Sequence, residues 1–154
     1  MRPLLLMVGI GLIGLGGAVA VADQKTTSNQ STVSRALPVM SISCTGGDQD
    51  LRDALCKAFY RQISDTVPGY VFRQFPDLSD APTRATDLRV LVVVQTGSNE
   101  LKVRLQWRKG PQAQPDEGPE LLFERNAMAT PQALTDVVKM LLKHTPDFMA
   151  QTRP

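Results

Sequence analysis

LRVLVVVQTGSNELKVRLQWR, residues 88–108, is the stretch that decides the fold. Its first third is β-branched and apolar on nearly every position, which suits a strand near the middle of a sheet. Thr96-Gly97-Ser98-Asn99 is a turn. The remainder alternates without an error: Leu101, Val103, Leu105 and Trp107 on one side, Lys102, Arg104, Gln106 and Arg108 on the other. A hairpin that pairs Val94 with Leu101 or Val103 keeps Leu88, Val90, Val92 and Val94 on the same inner face, and a slip of one residue would expose them all.

Working outward, Val39-Met40-Ser41-Ile42-Ser43-Cys44 alternates as a half-buried first strand, with Met40, Ile42 and Cys44 inward. Gly46-Gly47 breaks the period and Asp48 is a good N-cap. A helix over 49–64 then places Leu51, Ala54, Leu55, Ala58, Phe59 and Ile63 on one stripe. Pro68-Gly69 ends it, a second strand follows over 70–75, and 76–86 reads as a surface loop. After the hairpin come a Pro/Gly-rich loop over 110–119 without helix or strand, and a short strand over 120–125. A last helix is capped by Thr130 with Pro131 at its first position, and its stripe is Leu134, Val137, Val138, Leu141 and Leu142. Thr145-Pro146 stops it, leaving 147–154 as a flexible tail.

The order β-α-β-β-β-β-α implies an α+β fold: a four- to five-stranded mixed sheet with two amphipathic helices packed on one face. The first two strands are parallel, being joined through a helix. The domain runs over 37–146. Ahead of it, residues 1–22 combine Arg2, an apolar run and the small-residue end Ala18-Val19-Ala20-Val21-Ala22, the layout of a cleaved secretory signal peptide. An uncleaved membrane anchor is the rival reading, since the run is about the roughly 20 residues a bilayer requires. Residues 23–36 are a polar, disordered linker. Export to a periplasmic or secreted location is the expectation in the first case, membrane anchoring in the second.

The full chain of 154 residues carries 17 basic and 15 acidic side chains; without Arg2 the surplus is about +1 with the single histidine neutral. Bulk charge therefore points to neither nucleic acid nor an anionic membrane as partner. Cys44 and Cys56 are the only cysteines. An exported chain with an even count invites a disulfide. Spacing opposes it, because two helical turns at 1.5 Å per residue offset the pair by roughly 10 Å whereas bridged Cα atoms lie within about 7 Å. The alternative is two small buried hydrophobes.

Chemistry is sparse. His144 sits at the polar end of the last helix and serves best as a C-terminal cation. Without a second histidine or a cysteine cluster no metal site is indicated, and no cofactor is. Asp48, Asp50 and Asp53 complement a helix dipole, and nothing selects two of Asp77, Asp80 and Asp87 as a catalytic pair. Gly46-Gly47 lacks the residues of a phosphate loop.

The least bland feature is the outer side of the hairpin. Arg89, Leu91, Val93, Lys102, Arg104 and Arg108 project together there and form the candidate binding set, suited to a peptide, an anionic glycan or a lipid headgroup. The competing structural reading pairs these cations with Glu120 and Glu124 of the neighbouring strand and covers the apolar part with Leu122.

A short alternating strand, the LRDALCKAF helix, DLRVLVVVQ with its basic hairpin, a Gly/Pro loop and a last amphipathic helix together resemble the periplasmic N-terminal domain of TolB and related envelope assembly modules. The resemblance implies a module docking on an envelope partner and carries over no functional residue. The expected function is thus a non-enzymatic envelope domain that binds a protein through an open sheet face or edge. The alternative is a carrier of a small anionic ligand or lipid on the basic hairpin.

Overall fold

Strand β1 (Val39–Thr45) sits between two parallel neighbours, β2 (Val71–Gln74) and β3 (Leu88–Thr96). The computed structural model describes residues 36–74, 82–111 and 114–153. The expected signal peptide and nearly all of the expected linker lie outside them, as does the first half of the loop expected over 76–86. β3 pairs antiparallel with β4 (Glu100–Lys109). β4 in turn pairs with two short strands, β5 (Asp116–Glu117) near its end and β6 (Leu121–Glu124) near its start. The result is the expected α+β architecture on a mixed sheet, ordered β2-β1-β3-β4-β5 with β6 beside β5 along β4.

The hairpin register is the one the apolar pattern demands, with Val94 opposite Val103. Leu88, Val90, Val92, Val94, Leu101, Val103 and Leu105 are all fully buried. Helix α1 (Gln49–Thr66) and helix α2 (Pro131–Lys143) pack on that face. Asp48 caps α1 by accepting from the Leu51 amide at 3.2 Å, and Thr130 caps α2 through the Ala133 amide at 3.2 Å. The five apolar residues foreseen for α2 are the five it buries. On α1 the stripe is turned slightly, so that Cys56 is buried and Ala54 is exposed.

That turn brings Cys56 over Cys44, and the two form a disulfide with Cα atoms 5.9 Å apart. The spacing objection fails because the helix runs back along the strand it follows. Gly46 and Gly47 both hold positive φ, 78° and 62°, and reverse the chain. The four residues out from Cys44 to Asp48 reach at most ~13 Å, and the eight helical residues back to Cys56 cover about 12 Å. The two legs cancel.

Two further expectations need correction. The segment 147–154 is not a flexible tail: α3 (Pro146–Gln151) is a third helix on the same face, and its Phe148 is fully buried with its ring 5.6 Å from that of Trp107. Thr145-Pro146 does stop α2, but proline at the first position also starts the next helix, and six residues are too few to show an apolar period. The Pro/Gly loop also contributes β5, which holds on to β4 as the Gly118 amide donates to the Leu105 carbonyl at 2.8 Å. Arg35–Pro154 forms one compact unit. Among the described residues no helix is long and apolar enough to cross a membrane.

Candidate binding face

Helices α1, α2 and α3 lie on one side of the sheet, so the other side takes its character from the alternate residues of each strand. Register places them in rows. Arg73 of β2, Ser41 of β1, Arg89 of β3 and Arg108 of β4 form one row across four strands. The next row is Ser43, Leu91, Gln106 and, on β5, Glu117; the one beyond is Thr45, Val93 and Arg104. Gln95, Lys102 and Leu122 of β6 complete the sequence. The six residues singled out from the sequence, Arg89, Leu91, Val93, Lys102, Arg104 and Arg108, are therefore gathered on one face, each half-buried.

The competing structural reading is right in part. Lys102 reaches Glu120 at 3.4 Å, and Arg104 reaches Glu117 at 3.2 Å. Glu117 was missed because β5 is invisible as a strand from its two residues. Gln106 donates to the same carboxylate. Glu124 stands opposite Glu100, not opposite a cation, and Leu122 is 60% exposed, so it is no cover for the apolar strip. The Nε of Arg104 is buried without a hydrogen-bond partner. Arg89 and Arg108 are each engaged within the protein as well.

Arg73 and Ser41 are additions to the set. Alternation along β2 sets Arg73 on one side of that strand, but only the pairing of β2 with β1 aligns it with Arg89. Between Arg89 and Arg108 the surface dips into a cavity of about 150 Å³ lined by these two residues, Leu91, Gln106, Trp107 and Pro115. Among the described residues no carboxylate lines it.

At the entry to β1 and β3 lies a different kind of group. Asp87 is 6% exposed and accepts hydrogen bonds from the Val39 amide at 2.9 Å, the Arg84 amide at 3.1 Å and the Arg84 side chain at 3.0 Å. Arg84 also donates to the carbonyl of Leu37 at 3.0 Å. Burial pushes the Asp87 carboxyl upward, but these donors and the Arg84 charge together hold it below its ordinary value. Burial raises the Tyr70 phenol, and the Asp87 charge adds to that. Asp87 is thus a clamp on the sheet's lower end, with every near donor committed to structure.

The remaining residues considered for chemistry have structural places. Asp48 caps α1 and lies 3.8 Å from Arg125, and the His144 amide closes α2 on the Met140 carbonyl. Asp77 and Asp80 lie outside the described residues. Among the described residues no three of His, Cys, Asp or Glu gather closely enough to hold a metal ion.

No protein-family model matches the chain, and no curated protein matches it. Solved structures similar to it include a crystal structure of an uncharacterized protein, at 12% identity and a TM-score of 0.43, covering 74% of this chain and 91% of that one. The N-terminal domain of Thermus thermophilus Protein Y matches at 14% identity and 0.33, over 73% of this chain and 99% of its own. Protein VC0702 from Vibrio cholerae matches at 9% and 0.26, over 77% and 85%. At such scores the likeness is one of outline, and no function is transferred from it.

Proposed function

We propose that this protein is an exported, non-enzymatic binding domain of the cell envelope, which docks a protein partner on the sheet face opposite its helices. The observation that carries the reading is the zoning of that face. Leu91 and Val93 follow each other along β3, with the arginine row beyond Leu91, Arg104 directly opposite Val93 and Lys102 in the row beyond it. Apolar ground edged by charge is the composition of a protein-docking surface, with the charges setting orientation and partner choice. The disulfide is compatible with an oxidising, exported location.

The size of the cavity favours docking over the carrier alternative. At about 150 Å³ it is well below the ~300–1,000 Å³ of pockets that enclose a small molecule, so it fits a side chain and not a lipid.

The test places a photo-crosslinking residue at Leu91 and, separately, at Lys57, which is exposed on α1. Irradiation of the tagged protein in its native envelope is expected to yield one defined adduct from position 91 and none from position 57. Adducts from position 57 alone would overturn the reading.

A further inference from the structure

We propose that the Cys44–Cys56 bridge is a site of thiol–disulfide exchange in the folded protein, where an external dithiol opens the bridge by attack on Cys44 and an oxidised one closes it. The site lies between β1 and α1 and does not rest on the docking reading above.

Access comes first, because exchange requires a thiolate to reach a bridge sulfur, and its rate depends on which sulfur is reached. Cys44 is the last residue but one of β1, and Cys56 lies in the first half of α1. Both line a cavity of about 730 Å³, together with Gln49, Arg52, Asp53 and Gln74. Gln49, Asp53 and Gln74 are exposed, so the cavity opens to solvent. Its volume falls within the ~300–1,000 Å³ that receives a small molecule. Among the described residues its lining holds one cation and one anion, Arg52 and Asp53, paired at 3.2 Å, so an incoming thiolate meets no net charge.

The two sulfurs are not equivalent. Cys56 is 5% exposed and belongs to the core, whereas Cys44 is only partly buried. Cys44 is therefore the sulfur attacked, and Cys56 is the leaving group. The attacking thiolate bonds to the Cys44 Sγ, the electron pair of the bridge departs with the Cys56 Sγ, and water supplies its proton. The second thiolate of the dithiol then attacks its partner's sulfur in the mixed disulfide, closing the reductant's own ring and releasing Cys44. Two electrons pass from dithiol to bridge, and an oxidised dithiol runs the sequence backward.

The fold survives the opening because α1 has other ties to the sheet. Leu55, Phe59 and Ile63 of that helix are fully buried. Just ahead of it the Asp48 amide donates to the Thr96 Oγ1 at 2.8 Å, which holds the turn after β1 against β3. Cleaving the bridge removes one restraint among several.

The test incubates the purified protein without denaturant in reduced glutathione, quenches with N-ethylmaleimide and maps both cysteines by peptide mass spectrometry. Glutathione is expected on Cys44 and maleimide on Cys56. Reduction by dithiothreitol should proceed at a rate that urea below the unfolding transition leaves unchanged, since the native state itself reacts. In single variants, maleimide should label Cys44 of Cys56→Ser roughly tenfold faster or more than Cys56 of Cys44→Ser. Should either variant fail to fold by circular dichroism, the glutathione map of the parent protein decides. Glutathione on Cys56 would overturn the proposal, as would equal labelling of the two folded variants or a reduction rate that climbs with urea, the mark of a bridge reached only by unfolding. A thioredoxin arm distinguishes the source of the dithiol: faster reduction by thioredoxin than by dithiothreitol supports a protein partner, and slower reduction supports a small thiol. Resistance to all three reagents refutes the site.

Discussion

Phe148→Ala is the most direct probe of how far the core extends toward the C-terminus. The ring is fully buried, packs 5.6 Å from Trp107, and is the one buried residue of a six-residue helix that has no side-chain cap. Truncating a buried phenylalanine costs about 3–5 kcal/mol, from the lost transfer free energy plus the cavity left behind. A domain of this size has a total stability of only ~5–15 kcal/mol, and about 4 °C of melting temperature follows each kcal/mol. The expected fall is thus roughly 12–20 °C. Trp107 is the only tryptophan in the chain and is itself buried, so its emission in a thermal melt reports on this contact, with far-ultraviolet circular dichroism as the global measure. Met140→Ala, at a site 43% exposed on α2, is the matched control and should stay within about 0.5 kcal/mol of the parent. A Phe148→Ala melt within about 2 °C of the parent would refute the inclusion of α3 in the core.

The disulfide links residues 12 apart in sequence, and closing so short a loop stabilises by about 3 kcal/mol in the chain-entropy account. A urea titration with and without a phosphine reductant should show that loss, and an unchanged midpoint with two titratable thiols would contradict it. Asp87 has a carboxyl pKa held below its ordinary value, so its ionised form adds stability at neutral pH that disappears as pH falls through that lowered value. Asp87→Asn should cost about 2 kcal/mol at pH 7 and flatten the acid limb of a stability-against-pH curve; a parallel limb in the variant would count against the clamp. Gly46→Ala puts a Cβ 2.3 Å from the Val94 carbonyl oxygen at φ 78°, whereas Gly69→Ala at φ 90° meets nothing within 4 Å. The second should cost only the left-handed penalty of about 1–2 kcal/mol. The first should exceed it clearly in chemical denaturation, and equal costs would show that the turn yields.

Most of the framework was legible because long elements repeat their pattern. Residues 100–108 of β4 alternate without exception, and α2 carries five apolar residues at helical spacing, so both faces and both caps could be assigned from residue types alone. What escaped was short or non-local. β5 has two residues and α3 has six, below the length at which a period of 2 or 3.6 can be recognised. The disulfide was expected from the cysteine count and opposed only by spacing, because the direction of α1 depends on two glycines whose positive φ no periodicity reveals. The six residues proposed for the binding face were found by alternation within one hairpin. Arg73 joined them only through a pairing between strands some thirty residues apart along the chain, which depends on tertiary packing.

The place of β1 in the sheet has a bearing on how the chain assembles. It is the earliest strand among the described residues, yet both its neighbours, β2 and β3, come later, and both pair with it in parallel. Such contacts close only after an intervening helix or a long excursion has been made, so their loop entropy is spent before any ladder forms. Made from its amino end, the polypeptide therefore holds β1 in waiting with two bare edges until residue 96 is free to join. An early stop or a pause before that point leaves an apolar strand seeking any partner within reach, which gives a chaperone a reason to hold this segment until the hairpin arrives.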